Sequence, residues 1–215
     1  MKYLFLSIFI ITVTVFIILP STACANLLLN PGFEDTAGGQ PASWEFTGIN
    51  PYAQGYSSST YAHSGNMSIY TSLNATSSIN GDWSQRVTGI KAGDLLDANC
   101  WAIITAQYAP GYMSTRLNLT FQQWNEGSHS YTDIAYVNSD TINVMQDWAK
   151  LSISALAPEG ADAVLFRLNG NAFRGGAAAY DDAELSIVPE PASILMLGMG
   201  LIGLLVFKKR GIDNA

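Results

Sequence analysis

The sequence is poor in charged residues, cysteine and histidine. Only 13% of its 215 residues are charged, whereas about 25% is usual in a soluble domain. The whole chain has two cysteines and two histidines, and neither His63 nor His129 has an evident partner in a catalytic motif. Part of the apolar excess lies at the two ends of the chain, so we treat the ends separately from the fold.

The first 25 residues have the pattern of a secretory signal peptide. Lys2 precedes an apolar run that Pro20 ends, and small residues lead to a cleavage point after Ala25. Cleavage by signal peptidase predicts an exported protein that begins at Asn26. Two alternatives stay open: a lipoprotein signal in which Cys24 is acylated, and an N-terminal anchor that is not cleaved.

The C-terminal region contains a short motif, an apolar helix and a basic tail. The motif is Pro189, Glu190 and Pro191, the predicted membrane helix covers 193–207, and the tail is Lys208, Lys209 and Arg210. The 14 apolar residues from 194 to 207 would rise about 21 Å as a helix, less than the ~30 Å of a bilayer core. The basic tail is expected on the cytoplasmic side, with the preceding chain outside the inner membrane.

This order of parts resembles the PEP-CTERM sorting signal, here over 188–212, with the motif, helix and tail in 189–212. The resemblance implies a Gram-negative host that makes exopolysaccharide. It also implies that an exosortase, a membrane transpeptidase-like enzyme, is a partner. The protein would be anchored in the inner membrane at least transiently, and would reach the cell surface or the extracellular biofilm matrix after processing.

The segment between the two ends, residues 26–188, is predicted to be one all-β domain. Residues 117–121, 151–154 and 164–168 alternate between apolar and polar, as strands with one buried face do. Asn80-Gly81 predicts a hairpin turn, and 157–160 predicts another turn. Helix patterns are scarce, so the sequence favours a β-sandwich.

The charge balance of residues 26–188 excludes some partners. The segment has 15 acidic and 6 basic residues, a balance of −9. Nucleic-acid binding requires clustered cations, so it is not expected; neutral glycans or metal ions are more compatible. Cys100 is the only cysteine in the segment, which excludes an internal disulfide and predicts a small buried residue on a strand.

A series of short motifs gives this segment a second resemblance. In chain order these motifs are Asn26–Glu34, Trp44, 62–65, Trp83–Val87, Trp148, 157–158 and Tyr180–Leu185. Together they resemble the carbohydrate-binding-module branch of the galactose-binding-like jelly rolls. The resemblance implies a jelly-roll β-sandwich that binds carbohydrate without catalysis.

The same resemblance implies a structural calcium ion that joins the first and last strands to a loop. The ligands carried over by motif are Glu34, Asp182, Ser64, Met67 and Gly32. Calcium takes six to eight oxygen ligands, and such an ion would stabilise a domain without disulfides. Strand alternation predicts that Asp181 points to the opposite face. The alternative is that Glu34 caps a turn and Asp182 is a solvated strand residue.

Strand alternation also predicts a sugar-binding face. If the apolar residues of 117–121 and 164–168 face the core, the intervening polar residues share the outer face, together with Asn169. The candidate sugar ligands are Trp124, Gln122, Asn118, Arg116 and Arg167. The alternative is an ordinary solvated sheet surface. Trp44, Trp101 and Trp148 are expected to be packing residues, and 52–61 is expected to form a loop over one end.

Three functions remain open, in order of preference. The first is an exported surface or matrix protein that binds polysaccharide and is not an enzyme, because no catalytic motif is present. The second is a structural surface or biofilm protein with the same fold and no sugar site. The third is an accessory domain linked to glycoside hydrolysis, which requires a pair of carboxylates across a cleft.

Overall fold

The computed structural model describes residues 25–49 and 51–188 of the chain. The predicted signal peptide, the Pro189-Glu190-Pro191 motif, the membrane helix and the basic tail lie outside these residues. The described part contains twelve β-strands and no helix, so the all-β prediction is confirmed for it. Residues 25–49 and 51–188 contain no apolar helix long enough to span a membrane.

The strands are short at the start of the domain and long from β6 onward. In chain order they are β1 Thr36–Ala37, β2 Gln40–Pro41, β3 Glu45–Gly48, β4 Ala53–Ser58, β5 Ser68–Leu73, β6 Ser78–Thr88, β7 Leu95–Gln107, β8 Met113–Asn125, β9 Ser130–Asn138, β10 Ala149–Leu156, β11 Ala163–Phe173 and β12 Gly176–Val188. Strands β1 and β2 form a separate two-stranded hairpin.

The ten other strands form two five-stranded antiparallel sheets that pack as a sandwich. The first, called the groove sheet below, has the order β3-β6-β11-β8-β9. The second sheet has the order β10-β7-β12-β5-β4. Neighbouring strands are rarely consecutive in sequence, so most of the pairing is long-range, as expected for a jelly-roll sandwich.

The core lies between the two sheets and follows the predicted alternation. Leu117, Leu119 and Phe121 of β8 are buried, as are Val164 and the other inward residues of β11. Cys100 is fully buried on β7, as predicted. The turn predicted at 157–160 follows β10 directly. The strand predictions at 117–121, 151–154 and 164–168 are therefore confirmed.

Two local predictions are wrong. Asn80 and Gly81 lie in the interior of β6 rather than in a hairpin turn. A Cβ atom on Gly81 would approach Phe46 Cζ to 2.9 Å and Leu73 Cδ2 to 3.0 Å, so glycine is needed here for close packing. The segment 52–61 is also not a single loop, because β4 occupies most of it and pairs with β5.

Candidate functional site

The outer surface of the groove sheet forms a groove of about 820 Å³. It crosses the four strands β6, β11, β8 and β9. Polar side chains project into it because β6, β11 and β8 turn most of their apolar residues towards the core, whereas β9 also contributes the exposed Ile134 to the lining. Its main lining residues are Asp82, Arg116, Asn118, Thr120, Asp133, Tyr136, Asn138, Arg167 and Asn169.

Strand register brings three predicted ligand residues together in this groove. Arg167 of β11 lies directly opposite Asn118 of β8, and Arg116 lies opposite Asn169 two residues further along. On the other side of β8, Asn118 pairs with Asn138 of β9 and donates to its Oδ1 at 2.9 Å. The groove therefore presents guanidinium and amide groups in adjacent rows.

The two arginines of the groove carry free positive charge. Within 25–49 and 51–188, neither Arg116 nor Arg167 has a carboxylate within ion-pair distance. Arg116 is exposed and Arg167 is half-buried. A guanidinium group without an ion-pair partner can donate several hydrogen bonds to a ligand at once.

Asp82 of β6 is the acidic counterpart on the floor of the groove. It accepts a hydrogen bond from Asn169 Nδ2. Burial raises the pKa of this carboxyl, while the hydrogen bond from Asn169 and the charges of Arg167 and Arg116 act in the opposite direction. The groove thus offers a strong acceptor beside its cationic donors.

The two other predicted ligands, Gln122 and Trp124, lie beyond the groove lining. Gln122 is buried, donates to Asp133 Oδ1 at 2.7 Å and accepts from Arg86 Nε at 2.8 Å. Its amide is therefore occupied and holds the groove residue Asp133 in place. Trp124 packs edge-on against Tyr131 with ring centroids 5.0 Å apart, and Arg86 lies over the same tyrosine.

Strand alternation alone did not predict the lining residues of the groove that lie on β6 and β9. Asp82 was missed because Asn80-Gly81 was interpreted as a turn, which removes Asp82 from the strand. Asp133, Tyr136 and Asn138 lie on β9, where the pairing with β8 shifts register between Phe121 and Gln122. Such a bulge changes which side chains share a face, and the sequence gives no clear signal of its position.

The predicted calcium-binding segments lie next to one another in the structure. Glu34 Oε1 accepts from the backbone N–H groups of Asn66 and Met67, at 2.8 and 3.1 Å. Asp182 Oδ1 accepts from Ser64 Oγ at 2.6 Å. The loop after β4 is thus tied both to the start of the domain and to its last strand.

The expectation for Asp181 is wrong, because strand alternation is interrupted here. The pairing of β12 with β7 is irregular between Asp181 and Glu184, and Asp182 has a φ of 49°. Asp181 is therefore buried and accepts from the N–H groups of His63 and Ser64 at 2.7 and 3.1 Å. Both adjacent carboxyls contact the same loop.

The oxygen-bearing side chains of this cluster are of the kind that calcium takes, and Asp182 Oδ2 also contacts His63 Nδ1 at 2.6 Å. Glu34 and Asp182 supply carboxylates, and Ser64 supplies a hydroxyl from the neighbouring loop. Within 25–49 and 51–188, no group of three or more His, Cys, Asp or Glu side chains could share a metal ion. An ion bound here would therefore depend on backbone carbonyl oxygens, such as those of Gly32 and Met67, for the rest of its shell.

Solved structures with the same fold include carbohydrate-binding modules. TmCBM61, solved in complex with β-1,4-galactotriose, is 17% identical; the match covers 76% of this chain and 99% of that chain, with a TM-score of 0.51. The CBM22-1 xylan-binding domain of Xyn10C from Paenibacillus barcinonensis is 18% identical over 78% and 97% of the two chains, with a TM-score of 0.53. The described part of the chain therefore shares the β-sandwich fold of these two modules.

The fold also occurs within a larger enzyme. The enzymatically active domain of tailspike protein 4 from bacteriophage CBA120 is 11% identical, with a TM-score of 0.59. The match covers 76% of this chain and only 21% of that chain. No curated protein matches the sequence.

Residues 188–210 match the family described as the PEP-CTERM protein-sorting motif. The predicted sorting signal is thereby confirmed. It marks the chain for export and for sorting from a membrane-anchored state by an exosortase.

Proposed function

We propose that this protein is an exosortase-sorted surface or matrix protein that binds polysaccharide, without catalysis, in the groove of the groove sheet. The observation that carries the proposal is the convergence of Arg116, Arg167 and Asp82 with three asparagine amides in one open groove. Polysaccharides present many hydroxyl groups, which both donate and accept hydrogen bonds. Two guanidinium groups without an ion-pair partner, next to rows of amide and carboxylate groups, suit such a ligand.

Tyr136 supplies the apolar part of this surface. Its side chain is 72% exposed at the edge of the groove, on β9. An exposed aromatic ring offers a flat face to the C–H side of a pyranose ring, while its hydroxyl stays solvated. The groove thus combines one stacking surface with several polar contacts.

The spacing of the groove acids supports binding rather than hydrolysis. Asp82 lies on β6 and Asp133 on β9, three strand intervals apart, which corresponds to about 14 Å across the sheet. Glycosidases place their two carboxyls about 5 to 9.5 Å apart. Asp133 is also engaged by Gln122, so these acids do not form a catalytic pair.

We further propose that calcium joins Glu34 and Asp182 to the 63–67 loop as a structural ion. The ion would hold the first segment of the domain against its last strand. It would have no part in sugar binding, because this cluster does not share any lining residue with the groove.

Affinity electrophoresis of the full chain in mild detergent, with the host's exopolysaccharide in the gel, tests the groove. The Arg116→Ala/Arg167→Ala variant should lose the retardation that the unmodified chain shows. A Lys91→Ala/Lys150→Ala variant removes the same charge from exposed positions outside the groove and should remain retarded. Equal retardation of all three proteins would contradict the proposed site. Absence of retardation on any polysaccharide would favour a purely structural surface protein.

A further inference from the structure

We propose that the second sheet carries another glycan-binding surface on its own outer face, so that one domain can bind two polysaccharide chains at once. This surface, called the tyrosine surface below, consists of Tyr56, Tyr61, Tyr70, Tyr108 and Arg174. The inference rests on the proposed function in taking polysaccharide as the partner. It assigns a separate site on the opposite side of the sandwich.

Three tyrosine rings of this surface are arranged side by side. Tyr56 of β4 lies directly opposite Tyr70 of β5, with ring centroids 5.1 Å apart and an angle of 34° between the planes. Tyr61, from the loop after β4, stacks on Tyr70 with centroids 5.6 Å apart and an angle of 12°. The rings therefore form one nearly aligned aromatic group rather than three independent side chains.

These rings face solvent instead of the core. Ile69 and Thr71, the neighbours of Tyr70 along β5, are fully buried, so Tyr70 points to the other face of the sheet. Tyr56 and Tyr61 are 40% and 36% exposed. Tyrosine rings that are exposed to this extent are unusual in a core and common at binding surfaces.

A cleft begins beside Tyr70 because the neighbouring strand has very small side chains. Tyr70 pairs with Ala179 of β12, and the next outward residue of β12 is Ala177. Ala177 lines the cleft together with Gly175 and Gly176, and these small residues leave open space beside the Tyr70 ring. The result is a cleft of about 380 Å³ that runs from Tyr70 towards the end of β7.

The far end of the cleft supplies the polar groups. Tyr108 is 66% exposed, and the Arg174 guanidinium lies 5.7 Å from the centre of its ring. Ser72, Asn74 and Gln107 add hydroxyl and amide groups to the lining, which contains no carboxylate among the described residues. Aromatic faces with a guanidinium and amides are the same combination as in the groove, and they suit a neutral glycan chain.

The two sites lie on opposite outer faces of the sandwich. The interior between two packed sheets is about 10 Å thick, and side chains extend further on each side. A stiff glycan chain seated in the groove cannot also contact the tyrosine surface. Occupation of both sites therefore bridges two chains, or two distant stretches of one chain, and gives avidity without any new contact.

The number of binding sites tests this inference directly. Equilibrium dialysis of the full chain in mild detergent would use short oligosaccharides prepared from the host's exopolysaccharide. Two equivalents are expected for the unmodified chain, and one each for Tyr61→Ala/Tyr108→Ala and Arg116→Ala/Arg167→Ala. Tyr61 and Tyr108 are suitable for truncation because both are exposed and lie outside the strands. Cross-linking of intact polysaccharide, measured as turbidity, should occur only with the unmodified chain.

The variants separate failure of this inference from failure of the groove. If the unmodified chain binds one equivalent of oligosaccharide and only the Arg116→Ala/Arg167→Ala variant loses it, the tyrosine surface is overturned and the groove is supported. If the unmodified chain binds one equivalent of oligosaccharide and only the Tyr61→Ala/Tyr108→Ala variant loses it, the tyrosine surface is supported and the groove is contradicted. Protection of Tyr108 from oxidation by bound oligosaccharide provides a measurement on the unmodified chain; unchanged oxidation at saturation would contradict the tyrosine surface.

Discussion

Arg167 lies directly opposite Asn118 where β11 pairs with β8, and both side chains point away from the core into one groove. This pairing joins two segments that are about 50 residues apart in the sequence. Cross-strand neighbours of this kind have Cβ atoms about 5 Å apart, so their polar groups can contact one ligand together. The proposed binding surface is therefore a direct product of sheet register.

Replacement of Asp82 by Asn should stabilise the protein more at pH 7 than at pH 4. Burial raises the pKa of Asp82 above its ordinary value of 3.8, so the folded protein holds this proton more tightly than the unfolded chain. Between 3.8 and the raised pKa the folded state binds more protons, and the free energy of unfolding falls as pH rises. Asparagine does not titrate, so the Asp82→Asn variant avoids this fall in the free energy of unfolding.

Melting curves of the wild type and of Asp82→Asn at both pH values check this expectation. The difference in Tm between variant and wild type should be larger and more positive at pH 7. Asp97→Asn, at an exposed position on β7, is the matched control and should show a smaller dependence on pH. A difference in Tm that is equal at both pH values would contradict the role of burial at Asp82.

Replacement of Gly65 by Ala should destabilise the domain more than replacement of Gly93. Both glycines have a positive φ, 61° and 88°, so each alanine should cost about 1–2 kcal/mol in backbone strain. Only at Gly65 would the new Cβ meet another group, Glu34 Oε1 at 2.1 Å. Displacing Glu34 removes its hydrogen bonds to Asn66 and Met67 and should cost a further ~1 kcal/mol. Urea unfolding measures the free energy of unfolding of the two variants. Equal decreases in Gly65→Ala and Gly93→Ala would show that the Glu34 contact contributes nothing.

Replacement of Gly81 by Ala should lower the free energy of unfolding by about 1–3 kcal/mol, because the added methyl group overpacks the core between the sheets. Phe46, Leu73 and Thr71 all lie within about 3 Å of the position of that methyl group. Gly127→Ala, in an open turn, should change the free energy by less than about 0.5 kcal/mol. If the two variants were equally stable in urea, Gly81 would not be a packing position.

Removal of calcium should lower the Tm of the full chain. An ion present at a hundred times its Kd stabilises the folded state by about 2.7 kcal/mol, which corresponds to roughly 5–10 °C for a domain of this size. Melting curves with and without chelator measure the effect, and Glu34→Gln should abolish the response. A melting curve that chelator leaves unchanged would remove the calcium proposal without affecting the groove.

The sequence predicts much of the sandwich because segments of β8, β10 and β11 alternate between apolar and polar residues. The apolar residues of 117–121 and 164–168 identify the inward face of β8 and β11, and hence place Arg116, Asn118 and Arg167 on the outer face. This assignment to the outer face requires no knowledge of strand pairing. The pairing of the strands is required, however, to see that these residues share one groove.

The remaining features depend on tertiary packing that leaves no local pattern. Gly81 has the local signature of a turn, and only its contacts across the sandwich explain its place inside a strand. Asp181 was assigned to the opposite face because the irregularity after it cannot be seen in the sequence. The tyrosine surface likewise requires the pairing of β4 with β5, which brings Tyr56 and Tyr70 together.

Side-chain oxidation footprinting of the full chain, with and without saturating exopolysaccharide fragments, tests the central claim most directly. Tyr136 is 72% exposed at the edge of the groove, so a bound glycan should reduce its oxidation several-fold. Leu156, 65% exposed at the end of β10 on the second sheet, should keep its rate. An unchanged rate for Tyr136 while the glycan is demonstrably bound would show that the groove is not the binding site.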